Sequence, residues 1–306
     1  MLRELIIIRK GRLNRTMFKV IKSLFEKCSV LLPDEIYIKA KYRYHLGKRL
    51  DLTNPKSFNE KIQWLKIHDR RPEYTNYVDK YAVRKYVSET IGEKYLIPLL
   101  GVYDDVKAID WSKLPDKFVL KCTHGSGCNI ICADKSKLDI AACKKKLQMW
   151  MKRNWYWYGR EWPYKNVKPR IICEKYMVDE SGNQLKDYKI FCFHGEPKII
   201  QVDYDRFTNH KRNLYDTQWN YINASIHFPS DPTVKIKKPD KLEDMLQLAK
   251  TLAKDYPHVR VDFYYTDGNI YFGELTFYHG SGIEKFQPEE FGELMGSWIK
   301  LPIRSS

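Results

Sequence analysis

The alternation of apolar and polar residues is most regular near the end of the chain, where it predicts a β-hairpin. Residues 259–265 and 270–277 are rich in Val, Tyr and Phe, and Asp-Gly-Asn at 267–269 is a typical hairpin turn between them. We expect a three-residue loop here. Alternate side chains then form an apolar face that packs on the core. This face consists of Val261, Phe263, Gly273 and Leu275.

The opposite face of the hairpin carries charged and polar side chains. A three-residue loop places Asp262 across from Glu274, because cross-strand partners lie on the same face. It also places Arg260 across from Thr276. A two-residue turn would instead put the two carboxylates on opposite faces of the sheet. The prediction of a shared site therefore depends on the length of the loop.

Two carboxylates side by side on a sheet indicate a cation site. They repel each other unless a cation lies between them, and their hard oxygen atoms suit Mg²⁺, which usually arrives with a phosphate. Arg260 would meet further negative charge, and His-Gly-Ser-Gly at 279–282 lets the backbone approach a ligand closely. The alternative is a solvated hairpin with a salt bridge, and the pattern alone does not decide between them.

A second informative stretch, residues 118–132, predicts a strand, a loop of small residues and another strand. Lys121 stands at the end of the first strand, and the loop contains Thr123, Gly125, Ser126 and Gly127. The backbone N–H groups of such a loop can fold over anionic oxygens while the lysine supplies a charge. The Walker A and Rossmann patterns are both absent. An isolated hairpin turn is the alternative interpretation.

The remaining pattern alternates helices and strands. Apolar residues at helical spacing within 18–25 predict a basic N-terminal helix, which either packs on the protein or lies on a membrane surface. Ser57 and Glu60 form a capping box that opens another helix. Further helices are predicted at 78–92, 241–254 and 288–300, and strands at 95–103 and within 170–200.

Charge narrows the range of partners. The chain has 54 Lys and Arg against 38 Asp and Glu, and the net charge of +16 indicates an anionic partner. Nucleic acid, a nucleotide, a membrane surface and an acidic sugar polymer all satisfy this condition. No zinc-finger, RNA-recognition or helix-turn-helix pattern accompanies the charge, so a nucleic acid is not the expected partner.

Composition bounds the size of the core and the compartment. With 306 residues, 43% of them apolar, the chain can bury a core of two or three lobes. Seven cysteines without the paired spacing of a zinc site predict reduced thiols in a cytoplasm and no disulfide framework. No apolar run is long enough for a membrane span or a signal sequence.

Two further stretches support rival interpretations. Six of the ten residues at 155–164 are aromatic, and they either pack in a core or stack on sugar rings or bases. Arg160 and Lys165 keep an acidic-sugar site open there. Asp203 and Asp205 form an Asp-x-Asp pair of the kind that binds a metal and a nucleotide-sugar in many glycosyltransferases. Residues 203–222 are expected to form a loop with cationic groups for an anionic substrate, namely Arg206, His210, Lys211 and Arg212.

The hairpin resembles the final motif of the ATP-grasp ligases, in which R-x-D and, after a turn, E-x-N hold two magnesium ions. Arg-Val-Asp at 260–262 and Glu-Leu-Thr at 274–276 match this motif, with Thr276 where Asn is usual. The resemblance implies that Asp262, Glu274 and Thr276 bind metal. It also implies an α+β fold in which two α+β lobes hold ATP between them, with a basic helical segment at the N-terminus.

Three other motifs of that family occur in the same order between Lys80 and Gly282. They are an Asp-Lys pair at the start of a helix, the lysine with its glycine loop, and a hinge matched by Glu-Lys-Tyr at 174–176. Lys121 and Lys189 are expected to reach the cleft of the two carboxylates from a neighbouring lobe. The nucleotide-binding residues implied by the resemblance are Lys80, Lys121, His124, Gly125, Ser126, Gly127, Glu174, Lys175, Tyr176, Asp187 and Lys189.

The chain looks most like the TupA-like branch of the family, which is associated with teichuronopeptide and capsular polysaccharide synthesis. It shares SFNEKIQWLK at 57–66 and VLKCTHGSG at 119–127 with that branch. The resemblance implies a carboxylate–amine ligase that uses ATP and Mg²⁺ and forms an acyl phosphate. Arg260, Lys121 and Arg212 would be its catalytic residues.

The implied substrates are a uronic-acid sugar and an amine or amino acid. The implied location is the cytoplasm, at the inner face of the membrane if the N-terminal helix binds there. A metal-dependent glycosyltransferase is the alternative function. The resemblance divides the chain into a basic helical segment (1–75), the first part of the catalytic unit (76–115), a small subdomain with the phosphate lid (116–172) and a large subdomain with hinge and metal site (173–306).

Overall fold

The computed structural model describes residues 29–179, 185–204 and 210–302. The helix predicted within 18–25, Asp205 and Arg206 lie outside these ranges. The helices are α1 (Asp34–Leu46), α2 (Phe58–His68), α3 (Tyr74–Val78), α4 (Val83–Thr90), α5 (Ile140–Met151), α6 (Tyr156–Gly159), α7 (Leu242–Ala253) and α8 (Glu289–Ser297).

Two antiparallel sheets organise the described chain. The smaller has the order β1-β4-β2-β3, the larger the order β11-β10-β5-β6-β7-β8, and β12 pairs with β9 separately. Helices and antiparallel sheets confirm the predicted α+β class. The strands are β1 (Leu99–Tyr103), β2 (Phe118–Cys122), β3 (Asn129–Cys132), β4 (Ile171–Lys175), β5 (Asp187–Phe193), β6 (Glu196–Tyr204), β7 (Lys211–Tyr215), β8 (Tyr221–Ile222), β9 (Ser225–Ile226), β10 (Val259–Thr266), β11 (Asn269–Thr276) and β12 (Phe286–Gln287).

The four-stranded and the six-stranded sheet each bury a hydrophobic core. On the six-stranded sheet, Phe191 and Phe263 are completely buried together with Leu252 of α7. On the four-stranded sheet, Phe118 is buried with Leu147 of α5. The apolar face predicted for the hairpin is part of the larger core, as the burial of Val261, Phe263 and Leu275 shows. Charged side chains on its other face are therefore left to line the space between the two sheets.

The division into domains stays a proposal, to which the sheets add two observations. The expected boundary between residues 172 and 173 falls inside β4, and β1, from the expected 76–115 segment, pairs with β4. Helices α1 and α2 contribute Ile38 and Phe58 to the core of the larger sheet. We therefore propose a smaller lobe that contains β1 and all of β4, and a larger lobe that also includes the N-terminal helices.

Local sequence signals account for the starts of α2 and α5, where Ser57 and Asp139 cap the first turn. The capping box is present, since the Ser57 side chain accepts from the N–H of Glu60 and the Glu60 carboxylate accepts from the N–H of Ser57. The helix expected from residue 78 begins later, at Val83. Asp79 explains the delay, because its carboxylate accepts from the N–H of Tyr81 and holds residues 79–82 in a turn.

No helix in the described ranges is both long and apolar enough to cross a bilayer. The six cysteines of these ranges carry free thiols and are all buried.

Candidate active site

The hairpin of β10 and β11 turns in two residues, so the predicted three-residue loop is wrong. Thr266 pairs with Asn269, and Asp267 and Gly268 between them have φ angles of 51° and 70°. Positive φ at both central residues defines the tight turn that matches the twist of two antiparallel strands. A two-residue turn alone would separate the two carboxylates.

A β-bulge restores the register that the sequence predicted. Phe263 pairs with Phe272, whereas Asp262 pairs with Glu274, so Gly273 is an extra residue on β11. A Cβ atom at Gly273 would lie 3.1 Å from the carbonyl oxygen of Asp262, which favours glycine there. The predicted pairing of Asp262 with Glu274 is confirmed, although its cause is the bulge and not the loop.

Arg260 lies at the centre of the polar face. Its Nε and Nη2 atoms donate to the two oxygens of Asp262 at 2.6 and 2.7 Å. Nη2 also donates to Glu274 Oε1 at 3.2 Å and to Thr276 Oγ1 at 3.0 Å. Oxygen atoms of three side chains thus converge on one nitrogen position. The guanidinium keeps the two carboxylates together despite their like charge.

Lys189 contributes a second cation to Asp262. Its Nζ lies 3.0 Å from Asp262 Oδ2 and 2.9 Å from Asp187 Oδ2. Lys189 stands on β5, directly across from Asp262 on the same sheet, so its expected origin in a neighbouring lobe is wrong. Burial alone would lower the pKa of Lys189, but Asp187 and Asp262 outweigh burial and raise it. Lys189 is therefore a fixed positive charge.

Lys80 joins the carboxylates to the glycine loop. Its Nζ lies 3.2 Å from Glu274 Oε2 and 3.0 Å from the carbonyl oxygen of Gly125, and its N–H donates to Thr123 O. Burial would raise the pKa of Glu274, but Lys80 and Arg260 hold it well below the ordinary value. Glu274 is therefore a carboxylate at neutral pH. Its side chain is 34% exposed, so solvent reaches part of it.

A cavity between the two sheets contains the predicted lysines. Lys80, Lys121 and Glu174 line it together with Gly273 of the hairpin. Lys121 Nζ lies 2.6 Å from Glu174 Oε2, so this lysine pairs with Glu174 and not with the carboxylates of the hairpin. Arg84, which the sequence did not single out, lies 3.4 Å from Glu174 Oε1 and also lines the cavity. The signal for Arg84 in the sequence was its position four residues after Lys80.

The hinge residues lie at the end of β4, a central strand of the smaller sheet. Glu174 is buried near the end of β4, whereas Lys175 is exposed and Tyr176 is half-buried just after the strand. The N–H of Lys175 donates to Pro98 O at 3.0 Å. That N–H therefore already has a partner within the protein.

The glycine loop closes between β2 and β3, where the N–H of Cys122 donates to Cys128 O at 3.0 Å. Gly127 has a φ of 71°, and Ser126 is exposed at the tip of the loop. Gly125 packs against Trp155, whose indole would clash with any Cβ atom at that position. His124 is buried with Nε2 3.1 Å from Trp150 O, so its ring anchors the loop to α5.

Arg212 lies on β7, so the loop expected over 203–222 is wrong for residues 211–215. Arg212 is buried, and its Nε donates to Asp203 Oδ1 at 2.7 Å. Asp203 Oδ2 in turn lies 3.9 Å from Lys189 Nζ. Arg212 therefore borders the cluster around Arg260 through Asp203, and Asp203 belongs to the same buried charge network.

His279 holds the guanidinium of Arg260 from behind. Its Nδ1 lies 2.6 Å from Arg260 Nη1, and its Nε2 lies 2.9 Å from Glu284 Oε2. Burial lowers the pKa of His279 despite Glu284, so the neutral ring can accept from Arg260. The sequence drew attention to the glycines of this segment but not to its histidine.

Helix α2 anchors the segment His279–Gly282 through a polar stripe. Gln63 Nε2 donates to the carbonyl oxygens of Ser281 and Gly282 at 2.9 and 2.8 Å. Lys66 Nζ donates to Ser281 O at 2.6 Å, and Asn59 Nδ2 donates to Glu284 O at 2.7 Å. The sequence analysis assigned no role to these side chains. Their spacing of four and three residues places them on one helical face, which was the available signal.

We expect Lys66 to make stability depend on pH. Burial lowers its pKa from 10.5 to about 7, and Glu161 only partly offsets this. Between these values the folded protein binds fewer protons than the unfolded chain, so stability should rise with pH by up to about 1.4 kcal/mol per unit. Urea unfolding should show the advantage of the wild type over Lys66→Met growing from pH 7 to pH 9.

The exposed Lys85 of α4 offers a matched control. Lys85→Met should follow the pH dependence of the wild type. If the stability of Lys66→Met also followed the pH dependence of the wild type, Lys66 would keep its proton in the folded state.

The donor set of the hairpin fits a hard cation. Asp262 Oδ2, Glu274 Oε1 and Thr276 Oγ1 all lie within 3.2 Å of Arg260 Nη2, so these oxygen atoms converge on a positive charge, here the guanidinium of Arg260. Mg²⁺ is commonly bound by one or two carboxylates and takes further ligands from phosphate and water. The described ranges contain no cluster of three or more His, Cys, Asp or Glu suited to a metal. The hairpin can therefore supply two carboxylates and one hydroxyl as ligands to a metal ion.

A glycine loop on one antiparallel sheet and facing carboxylates on another define a protein of the ATP-grasp class. A family model described as TupA-like ATPgrasp matches residues 60–300. The chain belongs to this family. The predicted family and fold are confirmed, and no curated protein matches the chain.

Solved structures of ATP-grasp ligases resemble the chain at low identity. D-alanine–D-alanine ligase from Bacillus anthracis, complexed with ATP, is 17% identical with a TM-score of 0.37, over 66% of this chain and 54% of that one. The ligase from Helicobacter pylori is 14% identical with a TM-score of 0.41, over 81% and 70%. PsnB, complexed with its minimal precursor, Mg and ADP, is 9% identical with a TM-score of 0.36, over 71% and 57%. The chain thus spans little more than half of the B. anthracis ligase and PsnB.

Proposed function

We propose that the chain is an ATP- and Mg²⁺-dependent ligase that joins a carboxylate to an amine. The observation that carries this proposal is the pairing of Asp262 with Glu274 around Arg260, next to a cavity lined by Lys80 and Lys121. The cavity is about 10 Å³, room for about one water molecule, so a triphosphate would lie at its mouth beside Lys80 and Lys121. Membership of the ATP-grasp family supports the same reaction class.

The reaction requires two displacements. A substrate carboxylate oxygen attacks the γ-phosphorus of ATP, the bond to ADP breaks, and an acyl phosphate forms. An amine nitrogen then attacks the acyl carbon, phosphate leaves with its electron pair, and the nitrogen loses a proton. Mg²⁺ bound at Asp262, Glu274 and Thr276 would supply neutralising charge to the phosphate oxygens.

The protein's own cations would stabilise charge that develops during phosphoryl transfer. His279 and Asp262 fix the guanidinium of Arg260 from two sides, so little reorganisation is needed when negative charge appears. Lys80 would orient the glycine loop over the phosphates through its contact with Gly125. The finer roles of Lys121 in phosphate binding and of Arg212 near the acid substrate are part of this proposal.

The proposed substrates are a uronic-acid sugar and an amine or amino acid, in the synthesis of a capsular or other cell-surface polysaccharide. The likeness to the TupA-like family and the net charge of +16 support an acidic glycan. We propose a cytoplasmic location, at the inner face of the membrane where a cell-surface glycan would be assembled. The glycosyltransferase alternative loses support, because Asp203 is buried against Arg212 and Lys189.

Nucleotide selectivity tests the proposed function. With MgCl₂, saturating ATP should raise the melting temperature by about 5 °C, because a ligand that binds only the folded state stabilises it. UDP-glucose should cause no shift. ADP should be released over many turnovers only when a uronate and an amino acid are both present, because the amine consumes the acyl phosphate.

Lysine variants make this test specific to the cavity. Lys121→Met should reduce the ATP-induced shift, whereas Lys117→Met, at an exposed position just before β2, should not. A shift with UDP-glucose and none with ATP would favour the glycosyltransferase.

A further inference from the structure

A second cavity lies beside the glycine loop and shares no lining residue with the nucleotide cavity. Its volume is about 300 Å³, within the range of small-molecule sites. His124 of the loop borders it, as do Lys152 and Arg153 after α5 and Lys165 with Tyr164 on the turn that follows α6. None of the functions assigned above uses this cavity.

The charge of the cavity is one-sided. Lys152, Arg153 and Lys165 are exposed, and none of the three makes an ion pair with a residue of the described ranges. No Asp or Glu is among the lining residues. A negative helix end accounts for cations just after α5, but it does not account for Lys165, which comes from a different segment. The cavity is therefore suited to an anionic ligand.

The other walls suit a sugar ring. Tyr164 presents an aromatic ring, and Val167 and Met151 supply apolar surface beside polar groups of the rim. A sugar has apolar C–H faces and polar edges, so this mixture matches it better than it matches a bare inorganic anion. Arg160, the other cation of the aromatic stretch, is fully buried 4.5 Å over the ring of Tyr37 and takes no part.

The cavity also adjoins the reacting groups. His124 is bonded in sequence to Gly125, whose carbonyl oxygen contacts Lys80, and Lys80 contacts Glu274. Burial raises the pKa of Tyr164, and the charges of Glu161 and Glu274 add to this effect. The cavity is thus linked to the metal-binding face of the hairpin through His124, Gly125 and Lys80.

We propose that this cavity binds the uronic-acid substrate, with Lys152, Arg153 and Lys165 attracting its carboxylates and Tyr164 packing on a sugar ring. The inference rests on the proposed ligase function and deepens it by naming the acid site. Nucleotide and acid then occupy two cavities with separate lining residues. An acid bound here leaves the nucleotide cavity free for ATP.

Direct binding tests the assignment. The probes are a glucuronic acid tetrasaccharide and the glucose tetrasaccharide made from it by carboxyl reduction, titrated calorimetrically with and without AMPPNP and MgCl₂. The wild type should bind the glucuronate and not the neutral sugar. The triple variant Lys152→Ala/Arg153→Ala/Lys165→Ala should bind the glucuronate about tenfold more weakly, as expected for three exposed charges. Its affinity for AMPPNP should be unchanged.

The chain provides a control with the same loss of charge. Lys144, Lys145 and Lys146 are exposed on α5 and do not line the cavity, so their triple alanine variant should bind the glucuronate like the wild type. Equal loss in both triple variants, equal binding of the neutral sugar, or no glucuronate binding by the wild type would overturn the acid site. Failure of AMPPNP to bind would instead overturn the ligase function, because sugar binding is measured separately.

Discussion

Glu274→Gln should lower turnover by about three orders of magnitude while it weakens ATP binding much less. The substitution keeps the size of the side chain but removes the charge that would hold Mg²⁺ against the transferring phosphate. It also leaves Lys80 and Arg260 without their shared carboxylate. ADP release under saturating substrates gives the rate, and titration with AMPPNP gives the affinity.

Glu290→Gln is the matched control, because Glu290 is exposed on α8, away from the cluster. It should retain full turnover. Asp203→Asn is unsuitable as a neutral control, since Asp203 accepts from Arg212 and Gln201 inside the buried network. Wild-type turnover in Glu274→Gln would remove the metal site from the mechanism.

Arg260→Met should destabilise the protein by about 3–5 kcal/mol in the absence of divalent cations. Removing one partner from a buried ionic cluster leaves uncompensated charge, and here Asp262 and Glu274 would face each other without the guanidinium. If these carboxylates bind Mg²⁺, added MgCl₂ should restore part of the loss, because the ion binds the folded state alone. Urea unfolding with and without MgCl₂ measures both effects.

Arg71→Met provides the comparison, because Arg71 pairs with Asp69 at the partly exposed edge of the larger core. It should cost about 1 kcal/mol and show no rescue by MgCl₂. An equal response to MgCl₂ in both variants would mean that the ion does not bind at the hairpin.

The hairpin illustrates both the reach and the limit of sequence reasoning. Alternation of apolar and polar residues identified the two strands and their buried face, and an assumed three-residue loop predicted the pairing of Asp262 with Glu274. The predicted loop length was wrong, because an Asp-Gly turn and a bulge at Gly273 together produce the same register as a longer loop. A bulge depends on how two strands fit each other, and one strand's pattern does not contain that information.

Charged segments were harder to interpret. The run from His210 to Arg212 was expected to be a loop because solvated charge is the usual meaning of such a run. Arg212 is instead buried on a strand, since Asp203 of the neighbouring strand compensates its charge. The roles of three further residues were also missed, because the groups that they contact lie elsewhere in the chain. These residues are His279, Gln63 and Lys66.

The sequence by itself determined the elements, the family motifs and three of the residues that line the cavity between the two sheets, namely Lys80, Lys121 and Glu174. These features depend on local periodicity, on caps such as Ser57 and Glu60, and on short motifs, all of which neighbouring residues specify. The tertiary structure alone decided which charges meet, namely Lys121 with Glu174 and Lys80 with Glu274. It also decided that α2 contacts the segment after the hairpin. Ion pairs and buried hydrogen bonds act over a few ångströms between residues that can be more than 200 positions apart, so folding must bring them together before their roles exist.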